Sequence, residues 1–137
     1  MLEVERVDFV AVPTRDVPRA REFYTNVLGL RESTPPDETW PEFETSNVTL
    51  GLYEPEKIGR PFAPTSGLVL RVPDVAEARR KLEEAGVAFL VETADSGVCH
   101  MAFFEDPDGN GLAIHRRFAP PRPEGMSHAD SRKLVER

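Results

Sequence analysis

The sequence has little cysteine, no long apolar run and no excess of positive charge, and each shortage excludes a class of protein. Cys99 is the single cysteine, so no disulfide can form within the chain, which is typical of a reducing compartment. No apolar run approaches the roughly 18 residues that span a bilayer, and the first residues, MLEVERVDFV, lack the pattern of a secretion signal. We therefore expect a cytoplasmic protein with no membrane partner.

Acidic residues outnumber basic ones: the 24 Asp and Glu residues and the 17 Lys and Arg residues give a net charge of −7. Such a balance does not suit a nucleic-acid backbone, so no nucleic-acid partner is expected, whereas a cationic ligand is compatible with it. The 137 residues, of which 39% are hydrophobic and 30% charged, are enough for one soluble domain with a substantial core.

What the sequence does contain is an internal repeat. DVPRARE begins at Asp16 and DVAEARR begins at Asp74, 58 residues later, and each follows an apolar run typical of a β-strand. Each aspartate suits a helix N-cap, and the helical patterns end at Gly29 and Gly86, as helices often do. Short β-type segments follow each helix. The order strand-helix-strand-strand-strand, present twice, predicts an α+β fold.

The repeat also predicts the domain boundaries. Residues 1–118 form one domain whose modules span about 4–54 and 66–117, joined by a Pro-rich linker at 55–65. The Pro-rich C-terminal tail, 119–137, is either a mobile or partner-dependent terminus or forms a short helix around 127–136. The strands after the two helices are predicted at 30–35, 40–46, 48–54, 87–93, 97–105 and 111–117.

One face of the predicted sheets carries unusually few large side chains. Strand alternation separates an aliphatic face, which the helices would cover, from a face of small, aromatic and polar residues. Because a solvated face is normally rich in Thr, Lys and Glu, the second face is better suited to a concave pocket whose ligand supplies the missing volume. The alternative is a cleft filled by a partner chain or by the C-terminal tail. This second face comprises Phe9, Ala11, Thr49, Gly51, Tyr53, Gly67, Val69, Arg71, Gly111, Ala113 and His115.

Three segments carry a family resemblance: FYTNVLGL at 23–30, DVxxARxxLxxAGV at 74–87 and DPDGN at 106–110. Together with the paired modules, over about residues 4–117, they resemble the vicinal oxygen chelate superfamily, which includes glyoxalase I, extradiol dioxygenases, fosfomycin-resistance enzymes and bleomycin-type drug-binding proteins. The resemblance implies two tandem βαβββ modules that form a curved, partly open mixed-sheet barrel with helices outside. It is specific for the fold and not for activity, because many chemistries share this scaffold.

Enzymes of this family hold a divalent metal with His, Gln or Glu side chains on the central strands. By motif position, those ligands would fall at Phe9, Gly51, Gly67 and Ala113. None of these residues has a side-chain oxygen or nitrogen, so none can bind a metal through its side chain. We therefore expect no metal and no cofactor, and the sequence does not support the usual metal-dependent lyase or dioxygenase chemistry.

The sequence accordingly favours a binding protein over an enzyme. The resemblance and the bare face predict a metal-independent small-molecule binding protein of the glyoxalase/bleomycin-resistance type, which sequesters an apolar or cationic ligand in a concave cleft. Aromatic contacts would come from Phe9, Trp40 and Tyr53, although Trp40 is alternatively a core or edge residue. Arg71 and His115 would be polar anchors. The predicted ligand-binding set is Phe9, Trp40, Gly51, Tyr53, Gly67, Val69, Arg71, Ala113 and His115.

Two other functions stay open. One is a lyase, isomerase or tailoring enzyme that works without the usual metal and uses His115 or His100 as acid or base. If residue 102 pairs with residue 115, these histidines share a face and a displaced two-histidine metal site becomes possible, but a slip by one residue separates them. The other function is that of an interaction or regulatory subunit. The resemblance also implies a homodimer, which would cover unpaired sheet edges.

Overall fold

The computed structural model describes residues 1–135, and the strand-helix-strand-strand-strand order appears in it twice. The α+β class predicted from the sequence is therefore confirmed. The first repeat contains β1 (Phe9–Pro13), α1 (Val17–Glu22), β2 (Arg31–Glu32), β3 (Glu42–Glu44) and β4 (Thr49–Tyr53). The second contains β5 (Leu68–Arg71), α2 (Val75–Glu84), β6 (Ala94–Asp95), β7 (Cys99–Glu105) and β8 (Gly111–Arg117), after which comes α3 (His128–Val135).

Contacts between residues divide the chain into two compact units, and each holds one four-stranded mixed sheet. The first unit is Met1–Ser66 with Glu105–Gly111, and its strands lie in the order β1-β4-β3-β2. The second unit is Gly67–Phe104 with the residues from Leu112 onward, and its strands lie in the order β5-β8-β7-β6. In each sheet the first strand of the repeat pairs in parallel with the last, so the two sheets have the same topology.

The helices begin and end where their local sequence predicts. The Asp16 carboxylate accepts a 3.1 Å hydrogen bond from the backbone N–H of Arg19, and the Asp74 carboxylate accepts one of 3.0 Å from Glu77. Each aspartate thus satisfies an amide that the first turn of a helix leaves without a partner. After α1 the chain continues through one π-helical stretch, Phe23–Val27, before it turns at Gly29.

The core of the first unit lies on the helix-covered face of its sheet. Val12, Leu50 and Leu52 are at most 4% exposed, and α1 contacts β4 on this side. Phe43 and Tyr24 complete the layer with ring centroids 5.9 Å apart. Burying side chains of this size stabilises the fold by about 1.5–3 kcal/mol each.

The second unit has a smaller core built in the same way. Leu112 and Ile114 of β8 are buried on the face that strand alternation assigns to α2, whose Val75 and Leu82 are buried as well. Phe104 of β7 is 4% exposed and packs on Phe89, with ring centroids 5.5 Å apart. The aliphatic face predicted from the sequence thus supplies core residues in both units, whereas Val10 of the same face is 37% exposed.

The strand predicted at 87–93 is wrong, because β6 covers only Ala94–Asp95. The Arg79 side chain of α2 explains the difference. Its guanidinium donates to the Val91 carbonyl and the Thr93 hydroxyl, each at 3.0 Å, and lies 4.6 Å from the centre of the Phe89 ring. The segment is therefore held by a helix side chain instead of by a neighbouring strand.

The C-terminal tail forms α3 (His128–Val135), which agrees with the short helix considered for residues 127–136; residues 136 and 137 lie outside the described part. Ser131 on this helix is buried and accepts a 2.5 Å hydrogen bond from the Arg117 guanidinium, which also donates to the Pro120 carbonyl at 2.8 Å. Between residues 1 and 135, no helix is both long and apolar enough to cross a membrane.

Candidate functional site

The face of the first sheet that lies opposite its core is open to solvent. The register pairs Ala11 with Gly51 across β1 and β4, and Glu42 with Gly51 across β3 and β4, so these three residues share one face. Alternation along each strand completes the set. We call this surface the open face, and it consists of Phe9, Ala11, Trp40, Glu42, Glu44, Thr49, Gly51 and Tyr53.

Phe9 and Gly51 lie next to each other on the open face, and we call the part of the face that they form its floor. The Phe9 side chain is 49% exposed, and its ring passes 3.5 Å from the point where a Cβ atom at Gly51 would lie. Gly51 does not have a positive φ, so its backbone does not require glycine. What the missing side chain provides here is space beside an exposed aromatic ring.

Trp40 and Tyr53 form an aromatic pair at one end of the open face. Trp40 precedes β3 by two residues and continues its alternation, because the backbone N–H of Leu52 donates to the Pro41 carbonyl at 2.9 Å. The two ring centroids are 5.8 Å apart with a tilt of 30°. Trp40 is 46% exposed, so the structure gives it a surface position and not a core one.

Two glutamates on this face, Glu42 and Glu44, were not predicted from the sequence as site residues. Glu44 accepts hydrogen bonds from the hydroxyls of Thr49 at 2.7 Å and Ser33 at 2.8 Å. These two bonds, of which the one from Thr49 has the larger effect, lower the pKa of Glu44 below its usual range. Glu42 is half-buried, and within residues 1–135 its carboxylate makes no hydrogen bond or ion pair. The signal in the sequence was the alternation Glu42-Phe43-Glu44, in which the buried phenylalanine directs both glutamates outward.

The corresponding face of the second sheet carries the remaining predicted residues. Val69 lies opposite Ala113, and Arg71 lies opposite His115. Val69 is 45% exposed, whereas Ala113 is only 2% exposed. Arg71 and His115 are therefore neighbours on adjacent strands, and neither side chain makes a hydrogen bond or ion pair within residues 1–135.

Gly67 precedes β5 with a φ of 99°, a backbone conformation that only glycine adopts without strain. The glycine at this position is thus explained by the backbone, in contrast to Gly51. Both positions lack a side chain, but only at Gly51 does that lack create space that the chain did not need for folding.

His100 and His115 lie on opposite faces of the second sheet, so the arrangement considered from the sequence is wrong. The backbone N–H of Phe118 donates to the Val98 carbonyl, and at the other end of the β7–β8 hairpin Asp106 donates to Asn110. These bonds pair residue 101, not residue 102, with His115. His100 instead lies 4.7 Å from the Phe118 ring, measured between centroids, and 3.3 Å from the Asp95 carboxylate.

The DPDGN turn serves the fold of the first unit. The buried Asp106 carboxylate accepts from the Tyr24 hydroxyl at 2.7 Å and from the Asn110 side-chain amide at 2.8 Å. The same amide donates to the Pro13 carbonyl at 2.8 Å, and Asp108 accepts from the Thr14 hydroxyl at 2.6 Å. The turn is therefore a hydrogen-bonded anchor beside the end of β1, which accounts for its polar residues without a catalytic role.

A separate crevice of about 410 Å³ adjoins the other end of the open face. It lies between residues 6–8 and 44–49, and Arg6 and Asp8 in its wall pair with each other at 3.0 Å. Its volume is adequate for a small ligand, which typically needs about 300–1,000 Å³, but its wall contains no aromatic ring. The open face, which carries aromatic rings, is therefore the better candidate for a binding surface.

The residues at the metal positions of the family do not fit a metal. Phe9 and Gly51 meet on the open face, while Gly67 and Ala113 lie in the second unit, and none of the four has a side-chain donor atom. In the part of the chain that the structure describes, no group of three or more His, Cys, Asp and Glu side chains is arranged to hold a metal ion.

Comparison with known proteins agrees with this fold. Among solved structures, the antibiotic-binding protein TnmS3 from Streptomyces sp. CB03234 is 25% identical, covers 85% of this chain and 99% of its own, and superposes with a TM-score of 0.71. A glyoxalase/bleomycin resistance protein/dioxygenase from Nocardioides is 20% identical with 93% of each chain covered and a TM-score of 0.72. Lactoylglutathione lyase from Agrobacterium tumefaciens is 17% identical, covers 82% of this chain and 94% of its own, and has a TM-score of 0.70.

The likeness to the last two of these structures shows the fold alone, since they are only 20% and 17% identical to this chain. The family model of the Glyoxalase/Bleomycin resistance protein/Dioxygenase superfamily, however, matches residues 6–114. This match spans both βαβββ repeats and confirms the resemblance found in the sequence. The chain therefore belongs to the Glyoxalase/Bleomycin resistance protein/Dioxygenase superfamily.

Proposed function

We propose that this protein binds a small molecule and holds it, chemically unchanged and without a metal, against the open face. The observation that carries the proposal is the pair of exposed rings, Phe9 at 49% and Trp40 at 46%, on a face that also has open space at Gly51. Aromatic side chains arranged on one surface gain free energy when a guest covers them. Exposed apolar surface of this kind marks binding sites more often than ordinary surface does.

Relatedness supports a binding role. TnmS3, 25% identical over nearly its full length, is described as an antibiotic-binding protein. The shared fold and the aromatic open face make sequestration of an apolar or cationic guest the best-supported function for this chain. On the second sheet, Arg71 and His115 lie opposite each other and make no hydrogen bond or ion pair within residues 1–135, so both carry donors that suit an oxygen atom of a ligand.

Independence from metal is part of the proposal. Its support is the donor set: at the four family positions, only carbon and hydrogen replace the oxygen and nitrogen ligands that a divalent ion needs.

One observation favours a second candidate function, acid–base catalysis. His115 is half-exposed, makes no hydrogen bond or ion pair within residues 1–135, and is adjacent to Arg71, which could stabilise a developing negative charge. His100 is a weaker candidate because it already contacts Asp95 and Phe118 on the other face. Under this alternative, His115→Ala abolishes turnover of a bound ligand and leaves its affinity nearly unchanged; under the binding proposal, no product forms with either protein.

A homodimer is the expected assembly. Among residues 1–135, β1 and β2 are the outer strands of the first sheet, and β5 and β6 are the outer strands of the second. A second copy would satisfy some of these edge groups. Sedimentation velocity at micromolar concentration should show a mass of twice 15.3 kDa, and a single monomer peak would contradict the assembly without affecting the binding proposal.

The binding proposal is tested through Trp40, which is the chain's single tryptophan and lies on the open face. A library of aromatic metabolites and cationic antibiotics is screened by thermal shift, and the hits are titrated while Trp40 fluorescence is followed. A true guest raises the melting temperature and changes Trp40 emission with the same dissociation constant. Phe9→Leu should weaken that binding, whereas the matched control Phe118→Leu, a 48% exposed residue of the second unit, should not. Hits that stabilise the protein without affecting Trp40 would contradict the proposed site.

A further inference from the structure

Glu42 lies in the middle of the open face, and its carboxylate makes no hydrogen bond or ion pair in the part of the chain that the structure describes. It is opposite Gly51 on one side, and its other neighbour is Ser33, whose backbone N–H donates to the Glu42 carbonyl at 2.9 Å. Trp40 precedes it by two residues and therefore projects on the same side. The carboxylate is thus surrounded by a glycine, a serine and an exposed indole.

Glu44, on the same face, differs from Glu42 because the protein itself supplies hydrogen-bond donors to its carboxylate. It receives two hydroxyl hydrogen bonds, from Thr49 at 2.7 Å and Ser33 at 2.8 Å, and it lies opposite Arg31 in the β2–β3 register. Glu42 has the same chemistry, the same strand and the same face, but no such donors. Among residues 1–135, therefore, nothing neutralises the Glu42 carboxylate, which leaves it available to a positive group from outside the chain.

We propose that the open face selects planar aromatic cations, whose rings lie on Phe9 and Trp40 and whose positive group pairs with Glu42. This inference rests on the proposed binding function and names its ligand class. Two independent interactions favour positive charge here: a carboxylate attracts it directly, and the faces of aromatic rings attract it through their quadrupoles. Both repel an anion, and the net charge of −7 adds to that bias at longer range.

The shape of the floor explains why the ligand should be planar. Ala11 and Gly51 leave no bulk on the two central strands, and the Phe9 ring lies across Gly51. A flat ring system can therefore contact the backbone and the Phe9 ring together, whereas a branched aliphatic cation would touch only one of them. A partly buried, charge-assisted contact of this kind is worth on the order of a tenfold change in affinity.

The test uses two probes with the same flat tricyclic ring, 9-aminoacridine, which is a cation at pH 7, and acridone, which is neutral. Each is titrated by calorimetry, with Trp40 fluorescence as a second readout, into wild type, Glu42→Gln, Glu44→Gln and Glu22→Gln. Glutamine keeps the shape of the side chain and removes only its charge. Glu22 is an exposed residue of α1 and reports the effect of net charge alone.

We expect wild type to bind 9-aminoacridine about tenfold more tightly than acridone. Glu42→Gln should abolish that preference through weaker binding of the cation, with acridone affinity unchanged. Glu44→Gln and Glu22→Gln should each change the preference less than threefold. An undiminished preference in Glu42→Gln, or an equal loss in Glu44→Gln, overturns the assignment to Glu42.

The outcomes also separate this inference from the function on which it rests. Equal binding of the two probes to wild type, with a change in Trp40 emission, rejects the cation selectivity and supports the aromatic binding face. Failure of both probes to bind near Trp40, while a hit from the thermal-shift library does bind there, rejects the planar aromatic ligand class and leaves the proposed function supported; failure of the library as well contradicts the proposed function itself. Binding of both probes that is unaffected by Phe9→Leu contradicts the position of the site.

Discussion

The phenolic hydroxyl of Tyr24 donates a 2.7 Å hydrogen bond to the carboxylate of Asp106, and both residues are buried. The same carboxylate accepts bonds from the backbone amides of Asp108 at 2.9 Å and Asn110 at 3.0 Å. A charge removed from water is tolerated when donors surround it, and here they come from the turn itself and from the helical segment after α1. The Tyr24–Asp106 pair therefore links sequence positions 82 residues apart within the first unit.

Removing the Tyr24 hydroxyl should destabilise the protein. In Tyr24→Phe the Asp106 carboxylate keeps its other donors but loses one charge-assisted bond, so we expect the free energy of unfolding to fall by about 1–2 kcal/mol. Urea unfolding with an unchanged m-value is the measurement. Tyr53→Phe is the control, because the Tyr53 hydroxyl makes no hydrogen bond within residues 1–135, and its effect should stay within about 0.5 kcal/mol. Equal stability of the two variants would show that the bond is of no consequence.

The same tyrosine should make the protein sensitive to alkali. Burial first, and then the negative charge of Asp106, raise the pKa of Tyr24 far above its ordinary value. Above about pH 10 the unfolded state therefore loses a proton that the folded state keeps, so stability falls as pH rises. The slope from this one group is about 1.4 kcal/mol per pH unit. Tyr24→Phe should show a correspondingly shallower decline between pH 10 and 11 than Tyr53→Phe, and parallel declines would refute the assignment.

The sequence predicted those parts of the fold that depend on neighbours along the chain. Asp16 and Asp74 cap helices because their amide partners are three residues away, and the aliphatic face is buried because alternation is a property of each strand. The segment 87–93 has the composition of a strand, but the distant Arg79 side chain determines its conformation. That contact depends on how α2 lies against the chain, which local pattern does not specify.

The candidate site, like the fold, was predicted only in part. Phe9, Gly51 and Tyr53 follow from alternation, and the structure puts them on one face. Glu42 was missed because a strand glutamate normally indicates solvent, and only the register with Gly51 shows its position beside the rings. The relation between His100 and His115 depended on a one-residue choice of hairpin register, which the hydrogen bonds of the DPDGN turn determine.

Filling the space at Gly51 should prevent binding without unfolding the protein. A Cβ atom there would contact the Phe9 ring at 3.5 Å, an ordinary van der Waals distance, so Gly51→Ala should leave stability unchanged or raise it by up to about 1 kcal/mol. Gly51→Leu places a branched side chain on the floor and should weaken ligand binding at least tenfold, as measured by titration of Trp40 fluorescence. Gly67→Ala is the contrasting variant, because its φ of 99° makes any side chain strained, and it should lose about 1 kcal/mol. Unweakened binding by Gly51→Leu would exclude this floor as the site.

Chelators should have no effect on this protein. Wild type should keep its melting temperature and its ligand affinity in excess EDTA, because the four family positions supply no donor atom. The double variant Phe9→His/Gly51→His is the matched gain of function, since a Cβ atom at Gly51 would lie 3.5 Å from the Phe9 ring. It should be stabilised by added Zn²⁺, by about 2.7 kcal/mol at a hundredfold excess over the dissociation constant. A melting temperature of wild type that falls with EDTA would contradict metal-independent folding.

Arg117 should control the order of the C-terminal helix. Its guanidinium donates to the buried Ser131 hydroxyl at 2.5 Å and to the Pro120 carbonyl at 2.8 Å, so a single side chain of β8 holds both the start of the tail and α3. Arg117→Ala removes both bonds and should lower hydrogen-exchange protection of α3 about tenfold, while β7 and β8 stay protected because their backbone ladder is intact. Ser131→Ala should give part of the effect, and the neighbouring Arg116→Ala none. Since α3 has only eight residues and is marginal in isolation, protection that survives in Arg117→Ala would require another contact to hold it.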